Sequence, residues 1–427
     1  MGGADKKGLL IKITQDELDV IARRHGMYQS ARMGGARAML SRHDLSGLSI
    51  QNFDLSHADM TGVSLSHANA KGAILDYCNF FGADLRDCNL QMASLVRSDL
   101  RGACLRGTDL TGSDMTEVDL REGLLAMPDD EGNIVPLNSD WAATGNGGAD
   151  LSGANMTDAR MSGAVAVGTN FSDATMRGCK ITRANLSGAN FSGANLENAD
   201  LSLCELKSVN MRDAVLTHAA VDLTKIDKAS LRGSMTDKPV GPTPAHLPQP
   251  LEEMMVRHSV WVTSDGDTGM QLDISGYDMR GIKMFSRACL SLMKANDTVF
   301  YGMTFSGSQM HAAYLRNADM RHVIAENADM RGVDLMKARL TSANLRGARF
   351  DPLVLPDKRV VFANLSGANL RYADLAGANL RQVRLMEADL SYANLLGADL
   401  TGVDLTGANL TGARLNQSQQ ALISRAK

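Results

Sequence analysis

Apolar residues recur at every fifth position over a long stretch near the C-terminal end of the chain. From Ala363 to Leu415 the sequence reads ANLSG ANLRY ADLAG ANLRQ VRLME ADLSY ANLLG ADLTG VDLTG ANLTG ARL, and a leucine recurs in each step without a gap. Ala or Val stands two residues before each leucine, and Asn, Asp or Arg stands between them. The repeating unit therefore has two fixed apolar positions with a polar residue between them.

A period of five fits neither a helix nor a flat strand. On a helix, successive leucines would drift by about 140° and form no stripe. On a strand, an odd period would move the leucine to the opposite face at each step. Ala and Leu are two residues apart, so both point the same way from a short extended segment, and the Ser-Gly, Arg-Gly or Thr-Gly pairs that follow are typical of corners. The pattern predicts an all-β solenoid in which each repeat is one side of a coil.

This A-(D/N)-L-x-x pattern resembles the pentapeptide-repeat family over most of the chain. The resemblance implies a right-handed, four-sided β-helix with four repeats per coil, in which residues twenty apart stack about 4.8 Å apart. We expect Leu95, Leu196 and Leu380 in its core and Arg101, Arg183 and Arg381 in solvent. The predicted stacked or charge-paired residues are Phe171 with Phe191, Tyr372 with Tyr392, Asp319 with Arg339, and Asp329 with Arg349.

The repeat occurs in two blocks, each preceded by a segment with helical spacing. Thr14 and Glu17 form a capping-box pattern before the first block. The phrase Arg24-His25-Gly-Met-Tyr28 returns as Arg257-His258-Ser-Val-Trp261 before the second block, which predicts an internal duplication. We expect two tandem solenoids, each with a short N-terminal helical cap. The predicted boundaries are a disordered lead at 1–12, a cap at 13–39, a solenoid at 40–235 with a loop insert at 126–148, a Pro-rich linker at 236–250, a cap at 251–271, a solenoid at 272–415 with an insert at 351–361, and a tail at 416–427.

Two nonrepeat features have more than one interpretation. The aromatic residue of the duplicated phrase is expected to cover the first coil, with a binding role as the alternative. The insert at 126–148 contains Trp141, which either docks on the protein's own solenoid or contacts a partner. The second solenoid begins irregularly, and its first central residues are predicted to be Ile274, Met279 and Met284 before the frame settles at Leu290. The tail is expected to cover the last coil, because an open β-edge promotes aggregation.

Composition and cysteine placement are those of a protein from a reducing compartment. The 427 residues carry a formal net charge of -4, and aromatic residues make up only 4%, which suits a narrow core. The start, MGGADKKGLLIKIT, lacks the apolar core of a secretion signal, and no apolar run is long enough to cross a membrane. We therefore expect a cytoplasmic protein without membrane contact. The cysteines are expected to be structural thiols, inward at Cys78, Cys88, Cys179 and Cys204 and outward at Cys104 and Cys289.

The sequence contains no recognisable catalytic constellation. Signatures of serine hydrolases, phosphate-binding loops, zinc proteases and dinucleotide-binding folds are absent. His57 and His67 are two sides apart and are expected to face different directions. The Asp residues before the central leucines recur for structural reasons, and no catalytic, cofactor-binding or metal-binding residue is predicted. We therefore expect a protein that is not an enzyme and that needs no cofactor.

Two functions remain open. The favoured one is a noncatalytic scaffold that binds protein partners of unknown identity, with self-association among the possibilities. The alternative is a DNA-mimicking inhibitor of DNA gyrase, a function that the family resemblance implies for some members. Such mimicry needs a dominant acidic surface, whereas the block at 272–350 carries more Lys and Arg than Asp and Glu. Direct nucleic-acid binding is disfavoured because these basic residues alternate with Asp.

Overall fold

The computed structural model describes residues 10–111, 113–121, 126–128, 134–136 and 149–420. Its contacts divide the chain into two compact units, with the boundary between Asp237 and Lys238. The regular elements are β1 (Ile11–Lys12), α1 (Gln15–Gln29), β2 (His43–Asp44), β3 (Ala126–Pro128), β4 (Ile134–Pro136), α2 (Leu251–Thr263), β5 (Leu353–Val354) and β6 (Val360–Val361), together with single 3-10 turns at Leu223–Lys225, Lys228–Leu231 and Pro244–His246.

Most of the chain forms stacked coils that are joined by parallel β-bridges between residues twenty apart. In the first unit these bridges run from Met39 with Asp59 to Val215 with Met235, and in the second unit from Asp273 to Arg414. At each bridge the backbone N–H and C=O of one residue bond to the preceding coil, as when Ile74 N donates to Phe53 O at 2.9 Å and Leu55 N donates to Ile74 O at 2.8 Å. The period of five therefore closes a coil of four sides, as the sequence predicts.

A hydrogen bond explains why Asp or Asn so often precedes the central leucine. The side-chain oxygen of this residue accepts from the backbone N–H two positions later, as when Arg101 N donates to Asp99 Oδ1 at 3.1 Å. The same bond joins Ser391 N to Asp389 at 3.0 Å in the second unit. These bonds are the local turns that Asp and Asn favour. The recurrent acids are consequently structural, and their number says little about binding or catalysis.

The core contains the residues that the repeat frame places inside. Leu95 and Leu196 are fully buried, and Leu380 is 1% exposed. Arg183 and Arg381 lie in solvent, whereas Arg101 is only partly exposed because it pairs with Asp99. The predicted stacks are present, with ring centroids 4.9 Å apart for Phe171 on Phe191 and 5.1 Å apart for Tyr372 on Tyr392. The predicted ion pairs are present too, at 3.6 Å for Asp319 with Arg339 and for Asp329 with Arg349.

Both inserts leave the coil at a corner and return to the same stack. Asp119 bridges to Val165, a span of 46 residues that is 26 longer than a coil of 20. Within this first insert the structure describes only the antiparallel pair β3–β4, and Trp141 lies outside the described residues. Asp334 bridges to Asn364, a span of 30 that is 10 longer than a coil, and β5 pairs with β6 inside it. The ladder register therefore survives both insertions.

Each unit has an α-helix at its N-terminal end. Thr14 caps α1 with both hydrogen bonds of a capping box. In each helix the histidine of the duplicated phrase is buried, and the prediction that the aromatic covers the first coil is wrong for Tyr28. His25 and His258 are fully buried, whereas Tyr28 is 50% exposed. Each imidazole Nδ1 accepts a backbone N–H at 3.0 Å, from Ala38 in the first unit and from Leu272 in the second.

Other details correct the sequence-based expectations. Residues 11 and 12 fall within the predicted disordered lead but are ordered, because they form β1, which pairs in parallel with β2. Cys104 was expected to point outward but is 2% exposed. The third core position of the second unit is Phe285, which is fully buried, and Met284 is only partly buried because the first coil contains 21 residues.

The segments next to the solenoids are ordered where the structure describes them. In the Pro-rich segment, Val240 N donates to Asp278 Oδ2 at 3.1 Å and Pro242 O accepts from Asp278 N at 2.8 Å. Residues 238–250 are thus anchored to the second unit and do not form a free linker. In the tail, the side chain of Gln419 donates to Leu395 O at 2.6 Å and Ala398 O at 2.8 Å. Among the described residues, no helix is long and apolar enough to cross a membrane.

Candidate protein-interaction surface

Each corner of the coil is a four-residue turn whose third residue has a positive φ. In one such turn Ala58 N donates to Leu55 O at 2.9 Å, and His57 has a φ of 66°. Gly adopts this left-handed conformation without strain, and Asn and Asp tolerate it better than other residues. In the row of corners that begins at Gly47, every position is Gly or Asp except His67. A corner occupied by a bulky residue therefore needs a separate explanation.

One corner column of the first unit consists almost entirely of bulky residues. We call it the corner column; its positions, one per coil, are His57, Tyr77, Arg97, Glu117, Gly163, Arg183 and Leu203, and all have φ between 55° and 72°. A left-handed conformation costs roughly 1–2 kcal/mol for a residue with a side chain. Backbone strain of this kind is concentrated at functional sites in proteins. The corner column thus retains strained side chains at a position where the fold itself would favour glycine.

Neighbouring side chains of the corner column contact one another. The rings of His57 and Tyr77 stack with centroids 4.8 Å apart and planes 7° from parallel. The Arg97 guanidinium lies 6.0 Å from the centre of the Tyr77 ring and also forms an ion pair with Glu117. Between coils, Tyr77 N donates to Val96 O at 2.9 Å, which fixes the backbone that carries the ring. The side chains are therefore presented as an ordered row on a rigid support.

An apolar strip lies beside the first half of the corner column. Ile74 is 40% exposed and Tyr77 is 46% exposed, and Val96 next to them is partly exposed. Ile74 occupies the position before the central leucine, where the repeat usually has Asp or Asn. Exposed aromatic and Arg side chains beside apolar residues are typical of protein interfaces. The strip and the corner column together have that composition.

A groove of about 910 Å³ runs between the end of α1 and the corner column. It is lined by Tyr28, Gln29 and Ser30 from the helix end, by Arg37, and by Asp54, Ser56, His57 and Tyr77 from the first two coils. Arg37 is exposed, and its Nε donates to His57 O at 2.6 Å. His57 and Tyr77 belong to both the groove and the corner column, so the two form one continuous surface.

One carboxylate oxygen of the acid in the groove accepts three hydrogen bonds from within the protein. Asp54 Oδ1 accepts from Ser56 N at 3.0 Å, from Ser56 Oγ at 2.7 Å and from Gln29 Nε2 at 2.9 Å. Burial raises the pKa of Asp54, but these hydrogen bonds outweigh it and hold the pKa below its usual value. Asp54 is therefore charged at neutral pH, and its Oδ1 is held by neighbours in the protein.

A Ser–His–Asp cluster in the second unit resembles a hydrolase triad only superficially. Ser291 Oγ lies 3.3 Å from His311 Nδ1, and His311 Nε2 lies 2.9 Å from Asp329. Ser291 is only 6% exposed. Arg331 forms a bidentate ion pair with Asp329, in which Nε donates to Oδ1 and a terminal nitrogen donates to Oδ2, both at 2.9 Å. Burial raises the pKa of Asp329, but the hydrogen bonds from Arg331 and His311 lower it to about 2. We interpret the cluster as a structural ladder between coils.

Two acids that stack on neighbouring coils form a ladder on one side of the first unit, and no metal site accompanies it among the described residues. Within the described ranges, no group of three or more His, Cys, Asp or Glu side chains could hold a metal ion. Asp99 bridges to Asp119, but Arg101 lies 2.7 Å from Asp99 and 3.7 Å from Asp119. Arg121 pairs with Asp119 at 2.7 Å. This ladder is therefore neutralised by its own arginines.

A sequence model of the family described as pentapeptide repeats matches more than half of the chain, with eight copies. The matched residues are 40–76, 78–116, 147–183, 184–220, 313–351, 363–402 and 384–418. The chain belongs to the pentapeptide-repeat family. Proteins of this family fold as right-handed β-helices and are generally non-enzymatic, and the bridges between residues twenty apart are those of such a helix.

Solved structures of other pentapeptide-repeat proteins are similar to this chain. HetL, from the cyanobacterium Nostoc and involved in regulating heterocyst differentiation, is 20% identical, with a TM-score of 0.15 over 91% of this chain and 93% of its own. QnrB1, a plasmid-mediated fluoroquinolone resistance protein, is 18% identical, with a TM-score of 0.24 over 47% and 91%. A protein of the cyanobacterium Cyanothece is 26% identical, with a TM-score of 0.18 over 32% and 88%. Because these TM-scores are low, the family assignment rests on the sequence model. No curated protein matches significantly.

Sequence reasoning did not find the corner column, and it predicted no site residue at all. His57 was considered alone, as a histidine on one side of the coil. The signal is present in the sequence, since steps of twenty residues give His57, Tyr77, Arg97 and Glu117 before the insert and Gly163, Arg183 and Leu203 after it. It becomes visible only when the position two after the central leucine is compared across coils.

Proposed function

We propose that this protein is a noncatalytic protein-interaction scaffold, and that the corner column and the adjoining groove of the first unit form its binding surface. The main support is the series of bulky side chains at left-handed corners, where glycine would fold with less strain. The ladder of bonds between coils keeps this surface rigid, and a rigid surface loses little conformational entropy when a partner binds. The partner is a protein whose identity the sequence does not specify, and a second copy of the chain is one candidate.

We further propose that the two units are tandem solenoids, each closed at its N-terminal end by its own helix. The buried histidine of each helix and its matching backbone bond support this organisation. The division of contacts at Asp237 supports it as well. For the location of the protein we propose the cytoplasm, because its six cysteines are free thiols and such usage is typical of reducing compartments.

The scaffold function is tested by capturing partners with matched glycine variants. Tagged wild-type protein is cross-linked in cells of its source and purified, in parallel with Tyr77→Gly and Met92→Gly. Met92 is 67% exposed at a left-handed corner of a different column, so its substitution controls for the backbone change. We expect Tyr77→Gly to lose the partner and Met92→Gly to keep it. Both variants should remain within about 1 kcal/mol of wild-type stability, since relief of strain offsets the lost contacts.

Two results of this experiment would contradict the proposal. One is recovery of the same partner by both variants, which would place the interaction elsewhere on the protein. The other is the absence of any specific partner for the wild-type protein. Recovery of the chain itself would identify the scaffold as self-associating.

A further inference from the structure

We propose that the groove and the corner column bind an acidic segment of the partner protein, which places a carboxylate on Arg37 and an apolar side chain over Ile74 and Tyr77. This inference rests on the proposed function and specifies the chemistry of the partner. It follows from a comparison of the two caps and from the hydrogen bonds that each side chain of the surface already makes.

The second unit has a matching helix and buried histidine, but it lacks the arginine and the two stacked rings at the equivalent positions of its surface. Gln271 there takes the position of Arg37, and its Nε2 donates to Leu292 O at 2.7 Å, just as Arg37 Nε donates to His57 O at 2.6 Å. The equivalent of the corner column begins with Leu292, Ala312 and Gly332. The fold therefore needs a donor at the position of Arg37 but does not need its charge. It also does not need the stacked rings or Arg97.

Arg37 supplies the open hydrogen-bond donors of this surface. Within the described part of the chain, Arg37 makes its one hydrogen bond through Nε, which leaves the terminal guanidinium nitrogens available. By contrast, the Oδ1 atoms of Asp54 and Asp76 already accept hydrogen bonds from within the protein. A guanidinium whose two terminal nitrogens are open matches a carboxylate in geometry and charge. A ligand that pairs with Arg37 is consequently an acceptor with negative charge.

The apolar strip requires a second feature of the ligand. Ile74, Tyr77 and Val96 adjoin the groove and expose apolar area that the solenoid core does not bury. Covering such area is favourable by roughly 25 cal/mol per Å². A peptide segment with an acidic residue near an apolar or aromatic one satisfies both requirements, since it follows the groove and reaches the strip.

A nucleic acid fits this surface less well. Asp54, Asp76 and Glu117 lie on the same side as Arg37 and Arg97, so a continuous polyanion would meet three carboxylates. A single carboxylate on a peptide can instead pair with Arg37 alone. The observations therefore favour a protein ligand, and oligonucleotide binding becomes an outcome of the test.

The experiment selects ligands from a display library of short random peptides with the immobilised full-length protein. We expect the enriched peptides to share an acidic residue close to an apolar or aromatic residue. A synthetic peptide with the selected sequence should bind Arg37→Gln at least about tenfold more weakly, because the substitution removes the charge-assisted hydrogen bonds to the peptide carboxylate. Gln is the matched substitution, since Gln271 maintains the corner bond in the second unit.

Further variants and conditions complete the test. Tyr77→Gly should also bind the peptide more weakly than wild type, whereas Met92→Gly should bind it equally well. Raising the salt concentration should weaken peptide binding by wild type more than peptide binding by Arg37→Gln. Enrichment of basic or uncharged sequences, failure to enrich any sequence, or equal binding by Arg37→Gln would overturn the inference. Tighter binding of a thymidine oligonucleotide than of the selected peptide would also overturn it. If Tyr77→Gly loses the natural partner but the selected peptides lack acids, the proposed function stands and this inference fails.

Discussion

At the scale of single residues, each cap depends on a histidine that must be uncharged. His25 Nδ1 accepts from Ala38 N, so the proton is on Nε2, which lies 3.0 Å from Ser56 O. Burial lowers the pKa of His25, and the Ser56 carbonyl and Asp54 oppose this effect only in part, while Arg37 reinforces it. Burial also lowers the pKa of His258, against the carbonyl of Ser291. Protonation of either histidine would place a hydrogen on Nδ1, which would then face the backbone N–H that it accepts in the neutral form.

We predict from this that the protein loses stability in mild acid. The folded-state pKa of each histidine is depressed, so the unfolded chain binds more protons, and stability falls as pH drops below the unfolded value of about 6.5. Thermal unfolding between about pH 7.5 and pH 5 should show a midpoint that falls by a few degrees. The double variant His25→Gln with His258→Gln should have a lower midpoint that varies less with pH. His67→Gln, at an exposed corner, should keep the wild-type slope, and an equal slope in all three proteins would refute the explanation.

At the scale of the element, the regular coils were predictable and the irregular ends were not. The period of five, the Asp or Asn hydrogen bond and the alternation of inward and outward positions all follow from local sequence. The start of the second solenoid was misassigned because Met284 and Phe285 are both apolar, and only packing decides which one enters the core. The role of Tyr28 was misassigned because this aromatic is more conspicuous in the sequence than His25. A buried imidazole is identified by the backbone N–H that it accepts, and that partner is distant in sequence.

The capped units should each fold alone, because each has its own helix and its own ladder. Residues 10–237 and 238–427 are to be expressed separately and examined by circular dichroism and thermal unfolding. We expect a β-rich spectrum and a cooperative transition from both fragments. The second fragment begins at Lys238 because residues 238–250 are anchored to its first coil. An unfolded fragment at either end would show that the units depend on each other.

At the scale of the whole molecule, charge is distributed as local pairs. An Asp directly before a central residue often pairs with an Arg directly after it. Asp84 and Arg86 are 2.8 Å apart, and Asp278 and Arg280 are 2.6 Å apart. Pairing of this kind removes the extended negative field that a DNA mimic needs to attract a phosphate-binding site. The charge distribution therefore argues for a scaffold and against the gyrase-inhibitor alternative.

Accordingly, the purified protein should leave the supercoiling activity of DNA gyrase unchanged at about micromolar concentration, which is weak for a specific interface. The double variant Asp99→Asn with Asp119→Asn should behave like wild type in the same assay. Inhibition by wild type that weakens with salt and disappears in the double variant would instead establish the acidic ladder as a mimic of duplex DNA.

The continuity of the ladder across the insert after Arg121 has a practical consequence for protein engineering. A coil bonds only to the coils before and after it. A corner can therefore accommodate an insert of 26 additional residues while Asp119 and Val165 still pair. A loop inserted at a corner would therefore leave the spacing between the neighbouring coils unchanged. Foreign loops placed at successive corners of one column would project in the same direction at intervals of about 4.8 Å. The solenoid could thus hold engineered binding loops at fixed separations.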